Sequence, residues 1–196
     1  MNTMPMAPDW QVSQWFNTPS PLSLARYRGR VVLLHAFQML CPGCVSHGVP
    51  QAERVHREYA DVGVAVIGLH TVFEHHAAMT PVALEAFLHE YSVTHPVGID
   101  DPGSDGGAVP MSMRRYGLRG TPSLMLIDRA GRLRWHEFGR IDDLRLGLWL
   151  GSLLAEGAVA QTTGAVDPDE ARPADACDPH GCPVDTPHRQ SANGVN

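Results

Sequence analysis

The chain has 196 residues, 43% of them hydrophobic and 18% charged, which suits one globular domain of about 150 residues with some chain to spare and excludes two large domains. The formal net charge is −6 and all fifteen basic residues are Arg, so no basic stripe for nucleic acid stands out, and the absence of Lys excludes Schiff-base chemistry. No apolar run approaches the length of a membrane span and the first ten residues hold neither a charged nor an apolar leader segment, so a cytoplasmic protein with no membrane partner is expected.

The chain alternates strand-like and helix-like runs. Val31 through Phe37 is a continuous apolar, β-branched-rich run after Arg28-Gly29-Arg30, as expected of a central strand covered on both faces. It ends at the first Cys pair. Val45, Val49, Ala52, Val55 and Tyr59 then follow helical spacing up to a turn at Asp61-Val62-Gly63. A second buried strand is predicted over 64–69, and Thr80 is placed to cap a helix that Pro81 opens and that runs to Tyr91. A short strand over 96–100 leads into a Gly/Asp loop, and a short helix is predicted over 111–116. The runs 123–127 and 133–138 form a hairpin around Asp128-Arg129-Ala130-Gly131. A helix over 142–155 closes the domain. The order βαβ, then αβ, then αββα, predicts an α/β sandwich with a mixed sheet.

From Gly157 onward the composition changes. This segment of forty residues holds five Pro, six acids against two Arg, four Val as its only large aliphatics and no aromatic, so it cannot bury enough apolar surface to offset its ordering entropy. The expected organisation is a domain over 1–156 and a disordered Pro/Asp-rich tail over 157–196. The domain then carries a charge of only −2, from 13 Arg and 15 acids.

The four cysteines come as two close pairs, Cys41/Cys44 and Cys177/Cys182, too sparse for a disulfide-built scaffold. Cys41-Pro42-Gly43-Cys44 stands where a buried strand turns into a helix. A thiol there sees the positive end of the helix macrodipole and free backbone N–H groups, both of which favour thiolate. Cys41 is therefore expected to be the nucleophile. Cys44, one turn on, is expected to attack the mixed disulfide formed at Cys41. Half of a zinc site, or two inert core thiols, are the competing readings of the pair.

The segment from Val31 to Cys44 resembles the active-site segment of the thioredoxin-like superfamily. Gly120-Thr121-Pro122-Ser123, with the strand after it, is similar to that family's cis-proline loop. This implies a cis Thr121-Pro122 bond that brings the Thr121 backbone against the Cys pair, where a substrate peptide is held by strand-like pairing. The stretch between Cys41 and Pro122 exceeds the short thioredoxin spacing. The excess, roughly residues 72–107, resembles the helix-and-strand insertion of TlpA-like and peroxiredoxin-like members, the redoxin (AhpC/TSA-related) branch. What the resemblance implies is a thioredoxin-like sandwich and a thiol–disulfide oxidoreductase that needs no cofactor. Its partners would be protein disulfides or small thiols and a separate electron donor. A peroxiredoxin-like hydroperoxide reductase ranks second, because Gln38 and Leu34 stand where that family's Thr and Pro belong. A redox-responsive or metal-binding protein without turnover is the non-enzymatic alternative.

Two positions depart from the family pattern. Leu40 replaces the usual Trp before the first Cys. His35 replaces the buried Asp that serves the inner Cys, and a neutral imidazole with an ordinary value of about 6.5 could move the same proton. His47, one turn after Cys44, is a second candidate, though a surface role is favoured for it. His70, His75 and His76, with Glu74, read as a solvated polar loop after the second strand rather than a metal site. In the tail, Cys177, His180, Cys182 and His188 are candidate ligands for zinc or copper, and the Cys pair there could equally relay electrons to Cys41/Cys44 or do nothing specific.

Overall fold

The computed structural model describes residues 4–104 and 107–158. Six strands form one sheet: β1 (Val12–Phe16), β2 (Val31–Phe37), β3 (Val64–His70), β4 (Val97–Asp100), β5 (Ser123–Ile127) and β6 (Leu133–Phe138). Their spatial order is β1-β4-β3-β2-β5-β6. The β2–β3 and β3–β4 pairs are parallel, whereas β1–β4, β2–β5 and β5–β6 are antiparallel, so the sheet is mixed. The helices are α1 (Val49–Tyr59), α2 (Pro81–Glu90), α3 (Met111–Tyr116) and α4 (Asp143–Ala158). This is the thioredoxin-like α/β sandwich, with α2 and β4 as the insertion before the cis loop.

All seven residues of β2 are buried, as are all seven of β3, because both strands are covered on both faces. Val32, Leu34 and Ala36 pack with Ile67, Leu69, Met125 and Ile127 on one face, against Trp10, Leu22 and Leu24 from the N-terminal segment and Met113 and Tyr116 from α3. Val31, Leu33, Val66, Leu124 and Leu126 occupy the other, against Ala52 and Val55 of α1 and Leu146, Leu150 and Leu153 of α4. Burying each such side chain is worth about 1.5–3 kcal/mol, which places β2 and β3 at the centre of the sheet. Thr80 caps α2 as expected, its hydroxyl accepting from the Ala83 N–H at 3.3 Å.

Four features differ from the sequence reading. The strand β1 is absent from it, since only half of Val12–Phe16 is screened from solvent and the alternation is blurred by Ser13 and Gln14. The helix that opens at Pro42 is not an unbroken α-helix: Cys44–Gly48 wind as a π-helical turn that runs into α1. His70 is the last residue of β3 and wholly buried, not part of a loop. Finally, α4 runs over Asp143–Ala158, three residues past the helix end expected at 155. Among the described residues no helix is long and apolar enough to cross a membrane.

Candidate functional site

β2 delivers Cys41 to the edge of the domain. Both Cys41 and Cys44 are free thiols, but Cys41 is half-buried and Cys44 has no exposure at all. Cys41 Sγ accepts the backbone N–H of Cys44 at 3.3 Å, and as a thiol it donates to the Thr121 carbonyl at 3.5 Å. A backbone N–H at the first turn of a helix is the donor expected to stabilise a thiolate there. Burial pushes the Cys44 thiol up to about 12, and its hydrogen bond to Cys41 acts in the same direction. Three residues apart, the two sulfurs thus sit in opposed environments, one reachable and bonded by a donor, the other dry and protonated.

The Thr121–Pro122 bond is cis. Pro122 lies over the turn: a Cβ on Gly43 would stand 3.3 Å from its Cδ, and one on Gly48 would stand 3.2 Å from its Cβ. The structure therefore brings Cys41, Cys44, Thr121 and Pro122 together. Gly48, the last residue of the π-turn, was not singled out in the sequence. Such turns recur at functional sites because the extra residue re-aims the side chains around it.

His35 lies below this turn. A Cβ on Gly48 would stand 2.6 Å from His35 Nε2, and the imidazole stacks on Phe37 with ring centroids 5.4 Å apart. Both ring nitrogens are buried without a hydrogen-bond partner. Burial, with His95 and His47 adding to it, pushes His35 down to about 3, far from the ordinary value its role was expected to use. It is neutral throughout the physiological range. His47 is not a plain surface residue: half-buried, its Nε2 bonds the Ile141 carbonyl at 2.9 Å, which Gln51 also reaches.

The remaining histidines do not join the site. His70 Nε2 accepts from the Met39 N–H at 3.5 Å, and burial pushes it down to about 4, so it supports the backbone just before Cys41. His75, His76 and Glu74 are exposed, and Glu74 accepts from Gln38 Nε2 at 3.3 Å. Among the described residues no three His, Cys, Asp or Glu side chains are grouped to hold a metal ion. Cys177, His180, Cys182 and His188 lie outside the described residues. The sequence reading also missed Phe138, whose half-exposed ring packs where a Cβ on Gly120 would stand 2.9 Å from it, beside the cis loop and under the Arg119 guanidinium at 5.4 Å.

The Redoxin family model matches residues 3–143. A crystal structure of a thioredoxin-like superfamily protein is 55% identical, covers 78% of this chain and 97% of its own, and superposes with a TM-score of 0.74. A thiol-disulfide isomerase from Corynebacterium glutamicum is 49% identical, covering 79% of this chain and 99% of that one, again with a TM-score of 0.74. Protein DipZ of Mycobacterium tuberculosis is 30% identical over 139 residues, or 69% of this chain. The match spans only 19% of DipZ. With a Cys-x-x-Cys pair on this fold, the chemistry of the chain is thiol–disulfide redox exchange.

Proposed function

Because the chain belongs to the Redoxin family and holds a Cys-x-x-Cys pair beside its cis-proline loop, we propose that it is a thiol–disulfide oxidoreductase in which Cys41 attacks and Cys44 resolves. One observation carries this reading: the reachable Cys41 sulfur accepts the Cys44 N–H, while Cys44 is fully buried and its thiol is pushed up to about 12. Cys41 attacks one sulfur of a disulfide substrate, forming a mixed disulfide as the substrate's S–S bond breaks and its other sulfur leaves as thiolate. Cys44 then closes on Cys41 and releases the second half, leaving the Cys41–Cys44 disulfide for a separate electron donor to reduce.

The substrate is a disulfide of a protein or a small thiol. Leu40, 54% exposed, and Phe138, 48% exposed, supply an apolar docking surface in place of the missing Trp, and the Thr121 backbone faces Cys41 as a strand-pairing edge for an extended peptide. Pro122 shapes that edge, and His35 serves the buried thiol from beneath.

Replacing Cys44 with Ser tests the assignment. The Cys44→Ser protein should accumulate mixed disulfides on Cys41, located by peptide mass after exposure to a disulfide-bearing protein and to glutathione disulfide in parallel. No adduct on Cys41 with either disulfide would sink the proposal. A redox titration of the wild-type couple then gives the direction of flow, since a value near −270 mV belongs to a reductase and one near −120 mV to an oxidant, both of about that size in known proteins.

A further inference from the structure

The cis-loop flank of the Cys pair carries charge that the dithiol chemistry itself does not use. Arg119, two residues before Thr121, is exposed, and its guanidinium lies over the Phe138 ring, 5.4 Å from the centroid. Phe138 in turn abuts Gly120, where a Cβ would stand 2.9 Å from the ring. The aromatic face thus holds the cation beside the loop. Arg140, also exposed, stands on the same flank, because it follows Gly139, whose N–H donates to the Pro122 carbonyl at 2.8 Å.

Neither guanidinium pairs with a carboxylate among the described residues. The acids close to them in the chain are committed elsewhere. Asp142 Oδ1 accepts the Leu144 and Arg145 N–H groups at 2.9 and 3.3 Å, and Asp143 accepts from Gln51 and Arg54. Glu137 adjoins Phe138 along β6 and so presents to the opposite face. His136 is held below its ordinary value by burial and then by Arg119, so it adds no charge at neutral pH. On the other side of β2, beyond β3, Glu74 accepts from Gln38 Nε2 at 3.3 Å. In a chain of net charge −6, the surroundings of Cys41 are therefore positive on the cis-loop flank and negative past β3.

We propose that Arg119, together with Arg140, selects disulfides that carry a carboxylate close to the reacting sulfurs, an inference that rests on Cys41 being the attacking thiol. A guanidinium offers a carboxylate two parallel N–H groups, and one already stacked on a ring loses little freedom in binding it. Attack needs this help, because the Cys41 thiolate and a substrate carboxylate repel each other. The Cys41 sulfur bonds to one sulfur of the substrate, the S–S bond breaks, and the other sulfur leaves as a thiolate with the electron pair. Cys44 then displaces the remaining half, its proton ending on one of the two released sulfurs. Two electrons pass in all from the Cys pair to the disulfide. The charge gradient sets the orientation, with the substrate carboxylate toward the cis loop and away from Glu74.

Three small disulfides of similar size read the selection: dithiodipropionate, which is anionic, hydroxyethyl disulfide, which is neutral, and cystamine, which is cationic. Each oxidises the reduced full-length protein, followed by acid quenching, alkylation and the mass of the peptide holding Cys41 and Cys44. Dividing each rate by that of dithiothreitol with the same disulfide removes differences in intrinsic reactivity. At low ionic strength the wild type should prefer dithiodipropionate to cystamine about tenfold, and salt should shrink that preference. R119Q should cut it about threefold and R119Q/R140Q should remove most of it, while R119K, which keeps the charge, should retain it. R26Q removes the same charge ahead of β2, at the end of the strand away from Cys41, and should leave the preference whole.

A wild-type preference in folded R119Q/R140Q, a loss in R119K equal to that in R119Q, or wild-type rates independent of substrate charge would overturn the proposal, with oxidation by the neutral disulfide still reporting a working dithiol. A wild-type Cys pair that none of the three disulfides oxidises would overturn both readings. Two cystine peptides that differ only in Asp or Asn beside the Cys then separate the sources of the carboxylate. Preference for the Asp peptide assigns an acidic protein segment, and preference confined to dithiodipropionate assigns a small acid.

Discussion

Along β2, Val32, Leu34 and Ala36 point into a core of apolar side chains, from Trp10 and Leu24 to Met113 and Ile127. The alternate positions begin in the same way, with Val31 and Leu33 packed on α1 and α4, but the next residue on that face is His35, and beyond it lie Phe37 and Cys44. Both faces are equally dry. They differ in what the burial does: on the first it stabilises, whereas on the second it leaves His35 with two unpartnered nitrogens and drives the Cys44 thiol upward, at some cost in stability. The comparison teaches that strand alternation lets neighbouring residues divide labour, one holding the fold and the next holding reactive groups out of water.

Neighbouring substitutions on the two faces break this comparison most directly. Leu34→Ala should cost about 2–5 kcal/mol of stability, read from urea unfolding, and leave the redox potential of the Cys41/Cys44 couple where it was. A shifted potential would show that the two faces are not independent. His35→Ala should slow thiol–disulfide exchange about a hundredfold without abolishing it. Unchanged rates with a lowered melting temperature would make His35 a packing residue.

Gly48→Ala sharpens the division, because its new methyl must displace His35 Nε2 from 2.6 Å and Pro122 Cβ from 3.2 Å at once. Overpacking of this kind costs about 1–3 kcal/mol, and exchange by Cys44 should slow while alkylation of Cys41 does not.

Acid offers a test without mutation. His35 and His70 fall to about 3 and about 4 in the folded protein from an ordinary 6.5, so both are neutral there while the unfolded chain binds their protons. Stability is therefore full above the unfolded value and is lost as pH falls from there, toward about 4 for His70 and about 3 for His35, by about 1.4 kcal/mol per pH unit for each imidazole. Urea midpoints measured from pH 7 to 4 should fall accordingly, and a flat profile would contradict the burial of both rings. The smallest effect is expected at His47, whose ring is tied to the Ile141 carbonyl. His47→Ala removes one hydrogen bond to Ile141, worth about 1 kcal/mol, and should leave exchange rates unchanged.

Much of this architecture was legible in the residues. β2 and β3 announce themselves as apolar, β-branched-rich runs, the β5–β6 hairpin by the Asp128-Arg129-Ala130-Gly131 turn between its strands, and α3 matches its predicted span residue for residue. β1 was not legible because an edge strand is half-solvated and its polar residues hide the alternation. The π-turn was not legible either, since the helical spacing of Val45, Val49 and Ala52 is equally compatible with an unbroken α-helix. Glu53 left a faint signal, an acid at an apolar-face position of α1 between Ala52 and Val55, that only its bond to His95 makes meaningful.

Residue type and local spacing alone determined which thiol stands at the helix start and which residues line the central strands, because those properties depend on neighbours a few positions away. The tertiary structure decided the rest. Glu53 and His95 are 42 residues apart, and Cys41 and Thr121 are 80 apart. They meet because parallel pairing of β2, β3 and β4 sets one register across the sheet, and β5 returns the cis loop antiparallel to β2. How far a buried thiol or imidazole moves from its ordinary value depends on how much water that assembly removes and which dipoles it supplies instead, and no local pattern encodes either quantity.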